Sequence, residues 1–479
     1  MSDLAALVLA GGLSRRMQSP SSKILHQVAG RPMVYYPVAA ARAAGASRVV
    51  VVTSSRDRQT VEEYLMLAFG RELIRVVVQD PPRGTGDAAR VGLEALDAKV
   101  RRTLILCGDV PLITATDLER LAGALSGDAG LSVGTCRLQN PQGYGRILRD
   151  AQGKAVAIRE QRDLQGDAER SISEINAGLY AAEVEALDRA VRGLSTNNAQ
   201  GEYYLTDILP VFVRAGGVAT VEMSPEAAVG VNDRAQLCEV EDQMFARIAR
   251  RHRLAGSSIA SGVCIDDSVS IGSDVLIRSN VHLRGKTEVG DGCVIDVGCV
   301  LTDSVVGRGV TLLPYTVVSE GQIGDRCQLG PFSHVRPKSV LEAEVKLGNF
   351  VETKATRMRQ GAKANHLSYL GDGDVGENSN IGAGTIFCNY DGFSKHKTTI
   401  GRDVFIGSDS QLIAPVSVGD GAYVATASSV TLDVPADALA IGRARQSNKP
   451  GYAPKLRARL KAEKQARAAA LGKITDPHK

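Results

Sequence analysis

Two glycines and two arginines follow an apolar run in the stretch VLAGGLSRRM, and this combination is suited to binding an anion. A strand that turns through glycine into a helix presents backbone N–H groups to a phosphate. Gly11 and Gly12 would allow close approach, and Arg15 or Arg16 would neutralise the charge. Lys23 follows at the distance of a loop reaching back over the same site. The stretch indicates a phosphate site, although glycines also occur at strand ends for geometric reasons alone.

A second candidate is Asp109 in the stretch CGDVPL, which follows the apolar run RTLILC. A carboxylate at the mouth of a parallel strand suits Mg²⁺, which takes carboxylate and phosphate oxygens as ligands. The alternative is that Asp109 caps a helix or a turn. The stretch QDPPRGTGDA, residues 79–88, is a turn that would frame a base, and GYGRI, residues 143–147, has glycines for close approach to a sugar. These two stretches favour Asp109 as a metal ligand over Asp109 as a cap.

Polar groups that an apolar scaffold does not need gather in the second half of the chain. They are Arg336, Lys354, His366, Tyr369, Asn380, Asn389, Tyr390 and Lys395. His366 alone would be interpreted as a surface histidine, but Arg and Lys beside it suit a phosphate, and Asn and Tyr suit sugar hydroxyls. A histidine that titrates near neutrality can take a proton from an amine as that amine attacks a thioester.

The elements that position the first group are strands and helices in alternation. Apolar, β-branched runs such as LAALVLA, SRVVVVTS, LIRVVVQD and RRTLILCGD alternate with segments of helical spacing. This pattern predicts a parallel sheet covered on both faces, with ligands beyond the carboxyl ends of its strands. The glycine turn and CGDVPL both follow strands, so we expect them at that edge.

The second group lies in a hexapeptide repeat, which begins after an uninterrupted helical segment from Arg234 to His252 that predicts a linker helix. Apolar residues six apart near the end of the repeat are Ile400, Ile406, Leu412, Val418, Val424 and Val430. This period predicts a parallel β-helix with one apolar side chain per short strand stacked inside. The register is expected to break between about Pro331 and Asp374 and again at CNYDGFSKHKTT, and such insertions from a solenoid carry binding functions.

Composition limits the classes of function. The chain has 479 residues, 44% of them hydrophobic and 23% charged, with a net charge of +4, which predicts two or three globular domains. No basic stripe interleaved with aromatics suggests a nucleic-acid partner, and no segment has the roughly 18 apolar residues of a membrane helix. Eight cysteines without a CxxC pair favour reduced thiols in a cytoplasmic protein over disulfides or a zinc cluster. The basic, Ala-rich tail from Lys449 is expected to be a solvated helix.

The order of LAGG, Q…GTG, GDVPL, GYGRI, EINAG, NAQGEYYLTD and GVND resembles that of sugar-nucleotide pyrophosphorylases. More narrowly, together with NHLSYLG and CNYDG, it resembles the bifunctional N-acetylglucosamine-1-phosphate uridyltransferase and glucosamine-1-phosphate acetyltransferase family over nearly the whole chain. The resemblance implies an α/β Rossmann-like nucleotidyltransferase domain followed by a left-handed parallel β-helix. It also implies that the product, UDP-N-acetylglucosamine, serves peptidoglycan, lipopolysaccharide and cell-wall synthesis.

For uridylyl transfer, the resemblance makes Arg16 and Lys23 the catalytic cations and Asp109 and Asn232 the Mg²⁺ ligands. The residues that would bind UTP are Leu9, Ala10, Gly11, Gly12, Lys23, Gln79, Gly84 and Thr85. The residues that would bind N-acetylglucosamine 1-phosphate are Gly145, Glu160, Asn176 and Asn232. The sugar phosphate would attack the α-phosphorus of UTP and release pyrophosphate, with no protein nucleophile.

For acetyl transfer, the resemblance makes His366 the general base, and Asn389 and Tyr390 would bind the sugar amine and stabilise the oxyanion. The residues that would bind glucosamine 1-phosphate are Arg336, Lys354, Tyr369, Asn380 and Lys395. The residues that would bind acetyl-CoA are Ala383, Asn389, Tyr390, Ser408 and Arg443. β-Helix acyltransferases of this kind are trimers, so the resemblance also implies a homotrimer.

Four segments are therefore expected. A uridylyltransferase domain would span residues 1–231, a linker helix 232–252, the β-helix acetyltransferase domain 253–448 and the basic tail 449–479.

The sequence departs from the family at Leu13, Ser14 and Cys107, where Lys, Gly and Tyr are usual, and LAGGxSxRM also resembles nucleotidyltransferases acting on CTP or GTP. The alternatives are a nucleotidyltransferase whose β-helix is only structural or regulatory, and a binding subunit without activity.

Overall fold

The apolar runs of the first half form one mixed sheet. The computed structural model describes residues 3–12, 15–125 and 129–474 of the protein. The strands up to residue 222 are β1 (Leu4–Leu9), β2 (Gln27–Val28), β3 (Arg31–Pro32), β4 (Arg48–Thr53), β5 (Ile74–Val78), β6 (Arg102–Cys107), β7 (Leu131–Arg137), β8 (Arg146–Arg149), β9 (Ala155–Arg159), β10 (Glu174–Glu183) and β11 (Val218–Glu222). The main path of this sheet runs β11-β7-β10-β6-β1-β4-β5, and β8 pairs with β10 and β9, whereas β2 and β3 form a separate two-stranded sheet.

Helices connect these strands as the periodicity predicted. They are α1 (Tyr35–Ala43), α2 (Arg58–Phe69), α3 (Thr85–Leu93), α4 (Ala115–Gly123), α5 (Gly166–Arg170), α6 (Val184–Arg192), α7 (Leu209–Ala215), α8 (Pro225–Ala228) and α9 (Arg234–Leu254). The helix predicted from Arg234 to His252 is present as α9. Its N-cap is Asp233, whose side chain accepts a hydrogen bond from the backbone N–H of Gln236.

Both faces of the sheet are buried, which explains the near-continuous apolar strands. In β1, Ala6 and Val8 belong to one apolar cluster, and Leu7 between them belongs to the other. Side chains alternate between the faces of a strand, so a strand covered by helices on both sides has no polar face.

The prediction of a parallel sheet is correct for β1, β4, β5 and β6 but wrong for β10, which runs antiparallel to both β6 and β7. The long connection from β7 to β10 contains the antiparallel pair β8–β9 and the short helix α5, and it returns the chain antiparallel to β7. β10 also shifts register between Asn176 and Tyr180, at a bulge where Gly178 has φ +70°. Such bulges redirect side chains, and this one lies beside a predicted sugar ligand.

The chain divides into two compact units, residues 1–326 and 327–479. The first unit ends in short parallel strands of the hexapeptide repeat. They are β12 (Ser258–Ile259), β13 (Cys264–Ile265), β14 (Ser270–Ile271), β15 (Leu276–Ile277), β16 (His282–Arg284), β17 (Glu288–Val289), β18 (Val294–Ile295), β19 (Val300–Thr302), β20 (Val305–Val306), β21 (Thr311–Leu312), β22 (Val317–Ser319) and β23 (Gln322–Ile323). Cys293 and Cys299 are buried at equivalent positions of consecutive repeats, as the repeat interpretation of their spacing requires.

The second unit continues the same pattern. Its strands are β24 (Gln328–Leu329), β25 (His334–Val335), β26 (Val340–Leu341), β27 (Lys346–Asn349), β28 (Glu352–Lys354), β29 (Arg357–Met358), β30 (Lys363–His366), β31 (Tyr369–Gly371), β32 (Gly373–Val375), β33 (Asn380–Ile381), β34 (Ile386–Cys388), β35 (Thr398–Ile400), β36 (Phe405–Ile406), β37 (Gln411–Ile413), β38 (Val416–Val418), β39 (Tyr423–Val424), β40 (Ser429–Val430) and β41 (Leu439–Ala440). Every third strand pairs in parallel, as β35 does with β38 and β36 with β39. The predicted β-helix is confirmed, and the six regularly spaced residues from Ile400 to Val430 are all buried.

The predicted break between Pro331 and Asp374 is wrong, because the strands continue through this segment. The buried positions there include Thr353, Met358 and Ala364 in place of Ile or Val, so the apolar signal weakens while the coil persists. The spacing between consecutive buried positions also shortens from six residues to five after Thr353. The excursion that does leave the coil is the one between β34 and β35, residues 389–397.

The tail forms helix α10 (Tyr452–Ile474), as predicted, and its described side chains are mostly exposed. No helix in the part of the chain that the structure describes is long and apolar enough to cross a membrane.

Candidate active sites

The glycine turn and Asp109 meet at one edge of the first sheet, as predicted. β1 and β6 are parallel neighbours, and their last residues, Leu9 and Cys107, are paired. A cleft of about 410 Å³ opens at this edge. It is lined by every residue predicted to bind UTP, namely Leu9, Ala10, Gly11, Gly12, Lys23, Gln79, Gly84 and Thr85, and also by Asp109.

The side-chain amide of Gln79 is held in one orientation inside the cleft. Its Nε2 donates to the backbone O of Gly84 (3.0 Å) and to Oδ2 of Asp87 (2.9 Å). Because a carboxylate only accepts hydrogen bonds, Oε1 is the atom that turns the other way, toward Gly11. Gly84 has φ +109°, and a Cβ there would lie 2.6 Å from the backbone O of Tyr203, so the position requires glycine. Oε1 of Gln79 is therefore a hydrogen-bond acceptor held in a fixed position inside the cleft.

Lys23 and Arg16 converge on the two predicted metal ligands. Lys23 Nζ donates a short hydrogen bond to Oδ2 of Asp109 and a longer one to Oδ1 of Asn232 (3.4 Å). Arg16 Nη2 donates to the same Oδ1 (2.9 Å). The amide of Asn232 is oriented by its Nδ2, which donates to the backbone O of Gly230 (3.0 Å). Two cations and two oxygen ligands thus share one small region of the cleft.

The alternative that Asp109 caps a helix is wrong. The following helix, α4, is capped by Thr114, whose Oγ1 accepts from the backbone N–H of Asp117 (3.2 Å). The backbone O of Asp109 instead accepts from Val231 N (3.0 Å), which brings the neighbouring Asn232 to the strand end.

The oxygens of Asp109 and Asn232 fit a bound Mg²⁺. Both already contact one cationic atom, the Nζ of Lys23, so they converge on a position where positive charge is stabilised. Among the described residues no group of three or more His, Cys, Asp or Glu side chains is arranged to hold a metal. A hard cation held by one carboxylate, one amide oxygen and substrate phosphates matches how Mg²⁺ is usually bound.

The predicted sugar ligands of the first unit also come together. Asn176 N donates to the backbone O of Gly145 (2.9 Å), and a Cβ on Gly145 would lie 3.5 Å from Oε1 of Glu160. Asn176 is held by the bulge, because its Oδ1 accepts from Gly178 N (3.0 Å) and its Nδ2 donates to Tyr180 Oη (2.6 Å). Gly145, Glu160 and Asn176 therefore lie next to one another.

Glu160 is a largely buried carboxyl. Burial raises its pKa, and the hydroxyl of Thr206, which donates to Oε1 (3.1 Å), opposes that rise. Thr206 was not predicted, and its position in NAQGEYYLTD was the available signal.

Cys107, one of the departures from the family, lies between the UTP cleft and the bulge. Its Sγ is 3.7 Å from the backbone O of Gly178, and burial raises its pKa to about 12. The thiol is therefore neutral at physiological pH, and it lines the cleft as an apolar side chain, not as a nucleophile. The other two departures, Leu13 and Ser14, lie outside the described residues, as does the side chain of Arg15.

His366 lies at the end of β30 and is oriented by a residue one coil earlier. Its Nδ1 is 2.9 Å from Oδ1 of Asn349, its ladder partner at the end of β27. An amide oxygen accepts hydrogen bonds, so Nδ1 carries the hydrogen and Nε2 keeps the lone pair that a general base needs.

We expect Asn349→Ala to lower the kcat of acetyl transfer about tenfold or more, because the imidazole loses the partner that fixes its tautomer. Asn349→Asp should retain activity, since a carboxylate also accepts from Nδ1. Steady-state acetyl-transfer rates of the two variants test this, with uridylyl transfer as the internal control. Equal losses in both variants would contradict the role.

Tyr369 and Asn389 converge over Gly371 in the second unit. A Cβ on Gly371 would lie 2.6 Å from Tyr369 Oη and 2.5 Å from Asn389 Nδ2. Gly371 is also the ladder partner of Lys354, which brings this predicted phosphate ligand to the same place. Three of the predicted residues therefore form one cluster.

The excursion after β34 supplies two further predicted residues. Lys395 Nζ lies 4.2 Å from the ring centroid of Tyr390, and the two residues form a backbone bridge. Arg336 donates to Oε1 of Glu352 (2.7 Å) on the neighbouring coil.

The remaining predicted residues are less clearly grouped. Ala383 O accepts from Asp409 N (2.6 Å), which places the acyl-CoA candidates Ala383 and Ser408 on adjacent coils. No hydrogen bond within the described residues joins Asn380, Ser408 or Arg443 to the other predicted ligands.

The residues missed in the second unit are Asn349, Glu352, Gly371 and Asp372. The separation of 17 residues between Asn349 and His366, and between Asp372 and Asn389, is one coil, so the repeat length was the signal for both.

Comparison with protein families gives the class that this fold defines. The MobA-like NTP transferase domain matches residues 6–170, and the hexapeptide repeat of succinyl-transferase matches residues 397–431. The chain therefore combines a nucleotidyltransferase with a hexapeptide-repeat transferase.

Full-length relatives narrow the class. The bifunctional protein GlmU of Sorangium cellulosum is 53% identical over 463 residues, which cover 96% of this chain and 98% of the relative. GlmU of Anaeromyxobacter sp. (strain K) is 47% identical, covering 98% and 96%, and that of Trichlorobacter lovleyi is 45% identical, covering 95% and 98%. The chain belongs to the GlmU family of bifunctional uridyltransferase and acetyltransferase enzymes. The two alternatives, a merely structural β-helix and an inactive subunit, are thereby set aside.

Proposed function

We propose that the second unit acetylates glucosamine 1-phosphate with acetyl-CoA and that the first unit then transfers UMP from UTP to the N-acetylglucosamine 1-phosphate formed. The observation that carries the proposal is the presence of two separate clusters of the required chemistry. Lys23, Asp109 and Asn232 lie in one unit, and His366 and Asn389 in the other. The segments 1–231, 232–252, 253–448 and 449–479 remain our proposed domain boundaries.

In uridylyl transfer, a phosphate oxygen of the sugar phosphate attacks the α-phosphorus of UTP, and the bond to the leaving pyrophosphate breaks. Lys23 and Arg16 stabilise the negative charge that spreads over the phosphoryl oxygens. Mg²⁺, when held by Asp109 and Asn232, supplies further charge neutralisation and orients the triphosphate. Glu160 and Asn176 hold the sugar.

UTP is favoured over CTP by the fixed amide of Gln79. Its Oε1 is an acceptor, and uracil carries an N–H donor at the ring position where cytosine carries an acceptor. Pyrophosphate release with each of the four nucleoside triphosphates, N-acetylglucosamine 1-phosphate and Mg²⁺ tests this preference. A clear preference for another nucleotide would contradict it.

In acetyl transfer, the amine of glucosamine 1-phosphate attacks the thioester carbonyl of acetyl-CoA while His366 Nε2 takes the amine proton. The C–N bond forms, the C–S bond breaks, and coenzyme A leaves as the thiol after protonation. Release of free thiol from acetyl-CoA in the presence of glucosamine 1-phosphate, but not of N-acetylglucosamine 1-phosphate, tests this half of the proposal.

We also propose a homotrimer, because the β-helix presents flat faces and exposed apolar corners. Phe332 and Phe350 stack at 5.4 Å between centroids on consecutive coils, and both are about half exposed. The mass in solution by light scattering tests this, and a fully active monomer would contradict it.

The acid limb of uridylyl transfer should depend on Thr206. Glu160 binds sugar hydroxyls as a carboxylate, so activity falls as the pH drops through its raised pKa. Thr206→Val removes the donor that opposes the rise, so the pKa of Glu160 increases further and the acid limb of kcat/KM moves to higher pH. At neutral pH we expect kcat/KM to fall about fivefold, which corresponds to the free energy of one hydrogen bond. A pH profile with an unmoved acid limb would contradict this role.

A further inference from the structure

Asp372 links both ends of the excursion that carries the acetyl-transfer residues. It lies at the corner between β31 and β32. Its Oδ2 accepts a short hydrogen bond from Asn389 Nδ2, at the start of the excursion. Its backbone O accepts from Thr398 N (3.2 Å), the first residue after the excursion, and its backbone N donates to the O of Lys354 (2.9 Å). Asp372 thus forms hydrogen bonds at both ends of the excursion and with the preceding coil.

The bond to Asp372 fixes which way the amide of Asn389 faces. A carboxylate accepts hydrogen bonds and an amide NH₂ donates them, so Nδ2 must face Asp372 and Oδ1 must face away. The side chain has little freedom to turn, because Asn389 is only 4% exposed. Among the described residues, Oδ1 of Asn389 has no hydrogen-bond partner.

We infer that Asp372 is a positioning residue for acetyl transfer, which holds Asn389 so that its Oδ1 accepts a hydrogen bond from the amino group of glucosamine 1-phosphate. This inference rests on the proposed function of the second unit. An ammonium or amine N–H requires an acceptor at this position, whereas a hydroxyl can donate or accept and is indifferent to the orientation of the amide. Asn389 then binds the amine, and Asp372 contributes to the selection of an amino sugar over a neutral one.

The test compares Asp372→Ala with a matched control, Asp403→Ala, in the full-length chain. Asp403 occupies an equivalent corner with φ 54°, against 51° for Asp372, and its Oδ1 accepts from the amide of Asn378 at 3.4 Å. Both variants therefore place Ala in the same left-handed conformation and remove an Asp–Asn pair. Binding of glucosamine 1-phosphate and of glucose 1-phosphate is measured by calorimetry, and kcat and KM of acetyl transfer are measured alongside.

We expect Asp372→Ala to weaken glucosamine 1-phosphate binding about tenfold and to change glucose 1-phosphate binding by less than about twofold, since one charge-assisted hydrogen bond is lost indirectly. Asp372→Asn should fall between Asp372→Ala and the wild type, because its amide keeps the bond but tolerates the reversed orientation. Asp403→Ala should bind both sugars as the wild type does.

Equal losses for the two sugar phosphates would assign Asp372 a merely structural role and overturn the inference, as would wild-type binding in Asp372→Ala. Uridylyl transfer in the same samples reports on folding of the chain. If the wild-type chain neither binds nor acetylates glucosamine 1-phosphate, the proposed function itself fails, whereas an active wild type with an unaffected Asp372→Ala variant removes only this inference.

Discussion

His366→Ala is expected to abolish acetyl transfer and to leave uridylyl transfer unchanged. In our proposal the imidazole takes the amine proton, because Asn349 contacts its Nδ1 and leaves Nε2 available. Loss of a general base costs about 10²- to 10⁴-fold in rate. The His366 side chain is exposed, so its removal leaves no cavity and the β-helix should remain folded.

The measurement is thiol release from acetyl-CoA and pyrophosphate release from UTP on the same preparation. His334→Ala is the matched control, because His334 is an exposed histidine on β25 of the same unit with no predicted role in the site. Loss of both activities in a folded His366→Ala variant would refute the separation of the two sites, and normal acetyl transfer would remove His366 as the base.

Asp109→Ala should have the reciprocal effect, with uridylyl transfer lost and acetyl transfer retained. Asp109 holds the ammonium of Lys23 and is the one carboxylate among the two proposed Mg²⁺ ligands. Removing it takes away a proposed ligand of the metal and the carboxylate that orients the ammonium of Lys23, so the transition state loses the metal's positive charge at the triphosphate. We expect a fall in kcat/KM of about thousandfold or more, comparable to losing a principal electrostatic contact.

Pyrophosphate release at several Mg²⁺ concentrations measures this effect. A partial recovery at high Mg²⁺ would support the ligand role, whereas a small loss that is independent of Mg²⁺ would contradict it. Asp97→Ala is the control, since Asp97 is a surface carboxylate that forms an ion pair with Arg48, outside the cleft.

The uridylyl cleft was predictable because it is assembled by neighbouring strand ends. Apolar runs identify β1 and β6, and the carboxyl ends of parallel strands share one edge, so Gly11 and Asp109 had to be close. The orientation of Asn176 was not predictable in the same way. It depends on the bulge at Gly178 and on an antiparallel strand, and neither leaves a periodic signal in the sequence.

The β-helix was predictable from its six-residue register, but the contacts within the acetyl site were not. The weak apolar signal at Thr353, Met358 and Ala364 suggested a break where the coil continues. Asn349 and Asp372 act on residues one coil further along the chain, so their roles depend on which side chains the stacking of coils places together.

We expect one chain to perform both reactions in sequence. This is tested by incubating the purified full-length protein with glucosamine 1-phosphate, acetyl-CoA, UTP and Mg²⁺ and analysing the nucleotides by chromatography. We predict that UDP-N-acetylglucosamine accumulates and that omitting acetyl-CoA stops its formation, while N-acetylglucosamine 1-phosphate restores it without acetyl-CoA. Absence of UDP-N-acetylglucosamine from the complete mixture, or its formation from glucosamine 1-phosphate without an acetyl donor, would contradict the proposed bifunctional activity.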